Sequence, residues 1–423
     1  MSDTVHIRMY NVGFGDCFLI TLPEKRTILV DAGFHSQGKG MFGGNELAEQ
    51  ILADVKAIKG EPRIDVVIAS HRHQDHVYAF NSDKWSEFDV GEVWLPWVED
   101  RSNPQATKLW KKQQGFAAQL AAAVPVFNLD DDKRKAVEFM LWNAGVDLPG
   151  FDAGGWSNAR ALDCLREGFA RRDRTRPRFL PEQEAFPESF ESPALPGVTV
   201  HVLGPARDPD MIEKLDPEAD GETYRALALM AAAGGNGDLE ALTTPFGDAW
   251  KVPDDAQPGI FPLEPEDRQR IRALARSVDA VFAAERIDTI INSTSLVLLL
   301  EVGKARLLLP GDAEWGTWKR ILEDDEARTL LKGSSFFKVG HHGSHNATSK
   351  KLVEKVLPRA IPAMISTQEG QGNYRKNIPL TDLLDALTAR DIRYVRSDLE
   401  NKQLPDGFVK DAERRWVDIE IPC

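Results

Sequence analysis

The sequence contains little cysteine: Cys17, Cys164 and Cys423 are the only three in 423 residues. Thiols that are so few and so far apart exclude a disulfide framework and a zinc site built from cysteines. No apolar run approaches the roughly 20 residues that a membrane helix needs. The first residues also lack the charged-then-apolar pattern of a secretion signal. We therefore expect a reduced, cytoplasmic, soluble protein that makes no membrane contact.

Two common catalytic motifs are missing as well. There is no Gly-x-Ser-x-Gly nucleophile elbow and no phosphate-binding loop with a following lysine. Positive charge is in deficit, because 52 Lys and Arg stand against 66 Asp and Glu, for a net charge of −14. Such a surface repels nucleic acid at long range, so any phosphate binding must be local.

Histidine is concentrated instead of scattered, although the chain has only nine. His71, His73 and His76 fall within six residues, and Asp75 lies among them, directly after an apolar run typical of a buried strand. Imidazole and carboxylate suit zinc, manganese or iron. Alternate side chains of an extended turn point the same way, so His71 and His73 can bind one ion. Asp75 and His76 can reach a second. A polar loop that holds histidines by chance is the weaker alternative.

Further strand ends carry the same kinds of side chain. An apolar run ends at Asp31, a predicted hairpin ends at Asp312, and a later strand ends at His341 and His342. An aspartate at a strand end is often only a turn or helix-cap residue. Because Asp312 belongs to a series of strand ends with metal-binding side chains, we predict that it is a ligand.

The run His-Arg-His-Gln-Asp-His at 71–76 resembles the HxHxDH signature of the metallo-β-lactamase superfamily. The resemblance implies an α/β fold, a four-layer αββα sandwich in which loops at one edge of two sheets hold metal ions. Asn-Val-Gly-x-Gly-Asp at 11–16, Leu-Gly-Pro at 203–205 and Leu-Pro-Gly-Asp at 309–312 are similar to a nuclease-like branch found in DNA-uptake channel proteins of the ComEC type. Without membrane spans, the chain would be a stand-alone soluble form of that branch.

We predict a single domain over residues 1–423, interrupted by mainly helical insertions at 100–196 and 209–285. The chain loses strand character between residues 100 and 195, and we expect this first insertion to cap the sandwich. Its arginines Arg171, Arg172 and Arg174 could bind a phosphate backbone. A solvated helix end is the favoured interpretation, because no aromatic residues alternate with them.

The resemblance also implies two divalent metal ions, zinc or manganese. The first ion would be bound by His71, His73 and Asp312. The second would be bound by Asp75, His76, Asp312 and His342, with His341 as the alternative to His342. The further histidine that most superfamily members carry is replaced by Leu203-Gly204-Pro205, so the first ion would be the weaker.

The remaining candidate residues surround the two ions. Asp31 matches an aspartate that orients the ligands through hydrogen bonds. We expect Asp75, Asp31 and His342 to be the catalytic residues. The predicted substrate contacts are Ser344, His345, Lys376 and Asn377.

Water between two cations, with its pKa lowered to about 7, supplies a nucleophile at neutral pH. We therefore predict a metal-dependent hydrolase, with phosphodiesterase or nuclease activity favoured and nucleic acid or a small phosphodiester as the partner. Hydrolysis of a small ester, lactone or thioester would use the same chemistry. A metal-binding interaction module without catalysis is a third hypothesis, suggested by the missing histidine and the negative charge. The sequence predicts no oligomeric state.

Overall fold

The computed structural model describes residues 4–35, 40–123, 158–170, 176–212, 287–344, 347–368, 378–398 and 404–423. Between residues 123 and 158 it describes 129, 131, 134, 137–138 and 140–141, and residue 284 is described before 287.

Eight strands of the described part form the first sheet; all strands are numbered in chain order. Across the sheet they are β14 (Phe408–Lys410), β15 (Trp416–Pro422), β1 (Thr4–Tyr10), β2 (Cys17–Thr21), β3 (Thr27–Ala32), β4 (Arg63–Ile68), β5 (Asp89–Pro96) and β6 (Arg178–Leu180). From β14 to β3 the neighbours are antiparallel, whereas β3, β4, β5 and β6 are parallel. The carboxyl ends of β3 and β4 therefore meet at one edge.

The second sheet contains seven described strands. Across it they are β13 (Arg393–Arg396), β12 (Pro362–Ile365), β11 (Phe336–Lys338), β10 (Ala305–Leu309), β9 (Val297–Val302), β8 (Val198–Gly204) and β7 (Glu188–Glu191). The four strands β10 to β13 are parallel, and β7 to β10 are antiparallel neighbours.

The two sheets pack face to face, and the strand period of two decides which residues lie between them. In β9, Leu298 and Leu300 join the core between the sheets, together with Ile7 and Val66 of the first sheet. Leu299 points the other way, into the layer of helices. Both faces of β9 are therefore apolar, as expected for a strand buried on both sides.

Helices cover the outer face of each sheet. On the first sheet, α1 (Gly44–Lys59) buries Leu47, Ile51 and Val55, which recur every four residues along one side of the helix. On the second sheet lie α6 (Trp315–Glu323), α7 (Asp325–Leu331) and α8 (Thr381–Ala389). The predicted four-layer αββα sandwich is confirmed.

The expectation that residues 100–195 carry no strands is wrong. β6 pairs with β5 at the edge of the first sheet, and β7 pairs with β8 at the edge of the second. These strands have only three and four residues, too few for alternation to be visible in the sequence. The helix α2 (Gln74–Val77) precedes this segment, and α3 (Pro104–Ala123) and α4 (Asn158–Asp163) lie within it.

Of the second predicted insertion, 209–285, the structure describes α5 (Pro209–Ile212) and residue 284, and the rest lies outside the described residues. The sequence analysis also overlooked β14 and β15, which return the chain to β1. The described helices include none that is long and apolar enough to cross a membrane.

Candidate metal centre

The candidate site lies where strands of both sheets end. The chain reaches Asp31 at the end of β3 and His71 just after β4. It reaches Asp312 after β10 and His342 after β11, in the other sheet. Because parallel neighbours end at the same edge, both pairs meet in one crevice, the usual place for a site in such sheets.

Four side chains form the centre of this site, which we call the central cluster. The cluster consists of Asp75, His76, Asp312 and His342, which are all buried. Each residue offers one ligand atom, and these four atoms lie within 4.8 Å of one another. His342 Nε2 lies 2.9 Å from Asp75 Oδ2, and His76 Nε2 lies 3.1 Å from Asp312 Oδ2. Ligands that bind one ion at about 2.0–2.2 Å stand roughly 3 Å apart, so the cluster fits a divalent ion.

Hydrogen bonds orient the two imidazoles of the cluster. His342 Nδ1 lies 2.8 Å from the carbonyl oxygen of Ser366. A carbonyl can only accept, so Nδ1 carries the proton and Nε2 offers its lone pair to the cluster. His76 Nδ1 lies 2.9 Å from Asp31 Oδ2, and Asp31 Oδ1 accepts the Ser70 backbone N–H at 2.7 Å. Asp31 thus orients His76, as the resemblance implies.

The structure distinguishes His342 from His341. Both residues have positive φ, 54° for His342 and 46° for His341, in a tight turn where their ring centroids are 6.1 Å apart. His342 enters the cluster, whereas His341 Nδ1 lies 3.5 Å from Glu314 Oε1. The backbone N–H of His341 donates to Asp312 Oδ1 at 3.0 Å, so His341 supports Asp312 through its main chain.

His71 and His73 stand beside the cluster. Their ring centroids are 4.7 Å apart, and the His71 ring is 4.1 Å from that of His76. The Nε2 atoms of His71 and His73 are buried and have no hydrogen-bond partner among the described residues. Burial, together with neighbouring imidazoles, lowers the pKa of His71 well below its ordinary value, and burial also lowers that of His73. Both rings are therefore neutral at pH 7, the form that binds metal.

The charges of the cluster suit a cation. Burial opposes ionisation of Asp75, but the neighbouring His342 and His76 imidazoles outweigh burial and keep the pKa of Asp75 below the usual value. Burial also opposes ionisation of Asp312, and the positive charge of protonated His76 outweighs it, so the pKa of Asp312 is low as well. A metal ion that binds His76 Nε2 would displace its proton and take over this role. Both carboxylates are ionised at neutral pH and can act as ligands.

A buried ion pair that the sequence motifs did not indicate lies beside the cluster. Asp16 Oδ2 lies 3.5 Å from His76 Nδ1, and Asp16 also pairs with the ammonium of Lys338. Asp16, Asp31 and His76 form a second group that could hold an ion. The available signals were the aspartate that closes the motif at 11–16 and a lysine in an otherwise apolar strand.

Two other site residues were also missed. Glu314, two positions after Asp312, is buried and accepts a hydrogen bond from Asn292 Nδ2 at 3.3 Å. Asp288, just outside the predicted second insertion, has its Oδ1 atom 3.3 Å from His73 Nε2. Neither belongs to a strand-end motif, so periodicity did not indicate them.

The predicted substrate contacts are described only in part. Ser344 is buried two residues after His342, and its hydroxyl has no hydrogen-bond partner in the described part of the chain. His345, Lys376 and Asn377 lie outside the described residues, as do Arg171, Arg172 and Arg174. β8 ends at Gly204, where a Cβ would lie 2.9 Å from the Thr317 and Val297 side chains. This strand end is thus closely packed and supplies no imidazole.

Comparison with known proteins agrees with the fold. Residues 10–82 match the family model of the metallo-beta-lactamase superfamily, less than a fifth of the chain. That segment contains Asp31 and the whole run 71–76, whereas Asp312 and His342 lie beyond it. No curated protein matches the sequence. Members of this superfamily typically bind divalent metals, which agrees with the two His/Asp groups found here.

Proposed function

We propose that this chain is a metal-dependent hydrolase whose two divalent ions lie side by side at the sheet edge. The observation that carries the proposal is the central cluster, in which four ligand atoms from both sheets lie within 4.8 Å of one another. The second ion would be held by Asp75, His76, Asp312 and His342. The first would be held by His71, His73 and Asp312.

When bound, the ions would supply Lewis acidity and lower the pKa of water, which is the nucleophile in hydrolysis. The protein's own side chains prepare the site for this role. Asp31 keeps the proton on His76 Nδ1, and Ser366 keeps it on His342 Nδ1, so both Nε2 atoms face the centre. The hydroxyl of Ser344, buried two residues after His342 and without a hydrogen-bond partner among the described residues, would donate a hydrogen bond to the substrate.

For the substrate we propose a phosphodiester, and nucleic acid in particular. This rests on the similarity of the motifs at 11–16, 203–205 and 309–312 to the nuclease-like branch. The second candidate substrate is a small ester, lactone or thioester. The net charge of −14 favours this candidate, because a negatively charged protein does not repel an uncharged substrate.

One experiment separates these hypotheses. The purified chain is analysed for bound metal and then assayed, with Mn²⁺ or Zn²⁺, on single- and double-stranded DNA, bis(p-nitrophenyl) phosphate and p-nitrophenyl acetate. We expect cleavage of the phosphodiesters and none by Asp312→Ala. Ester hydrolysis alone would support the second candidate. Bound metal with no hydrolysis of any substrate would support the third hypothesis, a metal-binding interaction module without catalysis.

The basic run offers a test of nucleic-acid binding. If DNA is the substrate, replacing Arg171, Arg172 and Arg174 together by alanine weakens DNA binding at low salt and flattens its salt dependence. Hydrolysis of bis(p-nitrophenyl) phosphate, which has no long backbone, should be unchanged.

A further inference from the structure

Two ring nitrogens at the proposed first site are buried without a hydrogen bond to any described residue. His71 is 1% exposed and His73 is 4% exposed, yet neither Nε2 atom forms a hydrogen bond within the described residues. Buried polar atoms in native proteins are nearly always paired, because leaving one unpaired costs its lost hydration. Two such nitrogens, in rings whose centroids are 4.7 Å apart, are available to a ligand.

A carboxylate stands opposite one of them. Asp288 Oδ1 lies 3.3 Å from His73 Nε2, and the Asp288 side chain is 25% exposed. Two ligands of a tetrahedral ion with bonds of about 2.0–2.2 Å are themselves roughly 3.3 Å apart. The observed separation is therefore compatible with two ligands of one ion.

The position of Asp288 is set by packing on both sides of its helical segment, residues 287–292. Ile287 and Ile291 are buried against Ala117 and other apolar residues of the inserted helices. Asp288 and Asn292, also four residues apart, share the next side of the helix. Asn292 donates to Glu314, two residues after Asp312, so this side faces the metal centre.

We propose that the carboxylate of Asp288 is a ligand of the first ion, alongside His71, His73 and Asp312. It takes the place of the imidazole that the packed strand end at Gly204 does not supply. Two imidazoles and two carboxylates form a harder set of Lewis bases than three imidazoles. A site with two carboxylates therefore favours Mn²⁺ more than a site with three imidazoles does. The inference rests on the proposed metal centre and adds a ligand that comes from the helix before β9.

Metal binding tests this inference without an activity assay. Wild type, Asp288→Asn, Asp288→Ala and Asp288→His are stripped with a chelator, reloaded with Mn²⁺ or Zn²⁺, and titrated against a chromophoric chelator. Asp385→Asn, which removes an exposed aspartate from the outer side of α8, is the matched control. Circular dichroism confirms that each variant is folded.

We expect two ions per chain in wild type and Asp385→Asn, one bound more weakly than the other. Asp288→Asn and Asp288→Ala should weaken the first ion by at least about 10–100-fold, the loss seen for residues that merely support a ligand. Asp288→His should retain the first ion and bind Zn²⁺ in preference to Mn²⁺. In Co²⁺-loaded protein, loss of the carboxylate should change the visible absorption of one ion only.

Two results would overturn the inference, and they are distinguishable. If wild type binds two ions and Asp288→Ala binds both with the same affinities, Asp288 is only an ionic neighbour of His73, while the proposed hydrolase remains intact. If wild type itself binds fewer than two ions, the first site does not exist, and the two-ion form of the proposed function fails with it.

Discussion

His76 Nε2 lies 3.1 Å from Asp312 Oδ2, although 236 positions separate the two residues. His76 follows a strand of the first sheet, and Asp312 follows a strand of the second. The contact therefore exists only when the two sheets have packed on each other. Metal binding at this point should accordingly report on the assembled sandwich.

We expect His76→Ala and Asp312→Ala to abolish activity and most bound metal, because each removes a ligand from the centre of the cluster. His71→Ala should lower activity but retain roughly one ion per chain, since the ligands of the second ion persist. Metal analysis of the dialysed variants decides this. The assignment of ligands to ions is wrong if His71→Ala loses all metal while His342→Ala loses none.

Asp31 should affect metal affinity without being a ligand. Asp31→Ala removes the acceptor 2.9 Å from His76 Nδ1, so the ring loses its fixed orientation. We expect the affinity for the second ion to fall about 10–100-fold, with saturation still reached at high metal concentration. Chelator competition measures this. A variant that cannot be saturated at any metal concentration would contradict the supporting role.

The side chain of Arg72 connects the run at 71–76 to α3 of the first insertion. It is buried, and its guanidinium donates to Glu99 Oε1 at 3.3 Å and to Gln113 Oε1, on α3, at 2.5 Å. In Arg72→Met the buried negative charge of Glu99 loses one of its positively charged partners. This loss should lower the free energy of unfolding by about 3 kcal/mol. Urea denaturation measures the loss. Arg72→Met combined with Glu99→Gln should be less destabilised than the single variant, and equal or greater destabilisation would argue against this pairing.

Asp65 should make stability depend on pH. Its fully buried carboxylate accepts from Lys59 Nζ at 2.5 Å and from the Thr27 backbone N–H at 2.8 Å. Burial opposes ionisation, but these partners outweigh it and lower the pKa of Asp65. The stabilisation is therefore fully present above the unfolded pKa of about 3.9 and is lost as pH falls through the lower folded pKa.

Asp65→Asn tests this expectation. The variant should be less stable than wild type at pH 7 and should lose less further stability between about pH 5 and pH 3. Urea denaturation across that range gives both slopes. Parallel slopes for wild type and variant would show that other carboxylates control acid unfolding.

Local sequence was enough to predict the sandwich and the members of the central cluster. Alternating and continuous apolar runs predict strands, because side chains follow the strand period of two. Metal-binding side chains at successive strand ends predict that these ends meet, because parallel neighbours finish at one edge. Asp75, His76, Asp312 and His342 were found in this way, and the structure brings these four together. His71 and His73 lie beside them.

Contacts between distant segments could not be predicted in the same way. Asp16 and Lys338 come from different sheets, and only the packed sandwich makes them a buried pair. The short strands β6 and β7 take their structure from the edges that they extend, which outweighs weak local preference.

The sequence by itself determined which residue types stand at the strand ends, since the strand period and the motif are properties of neighbouring residues. The sequence preferred His342 to His341, but only the tertiary structure decided where the two rings lie: His342 is in the cluster and His341 is beside Glu314, because the tight turn after β11 separates the rings. The tertiary structure alone also placed Asp288 opposite His73, because the helix that carries it is positioned by packing against a segment far away in the chain.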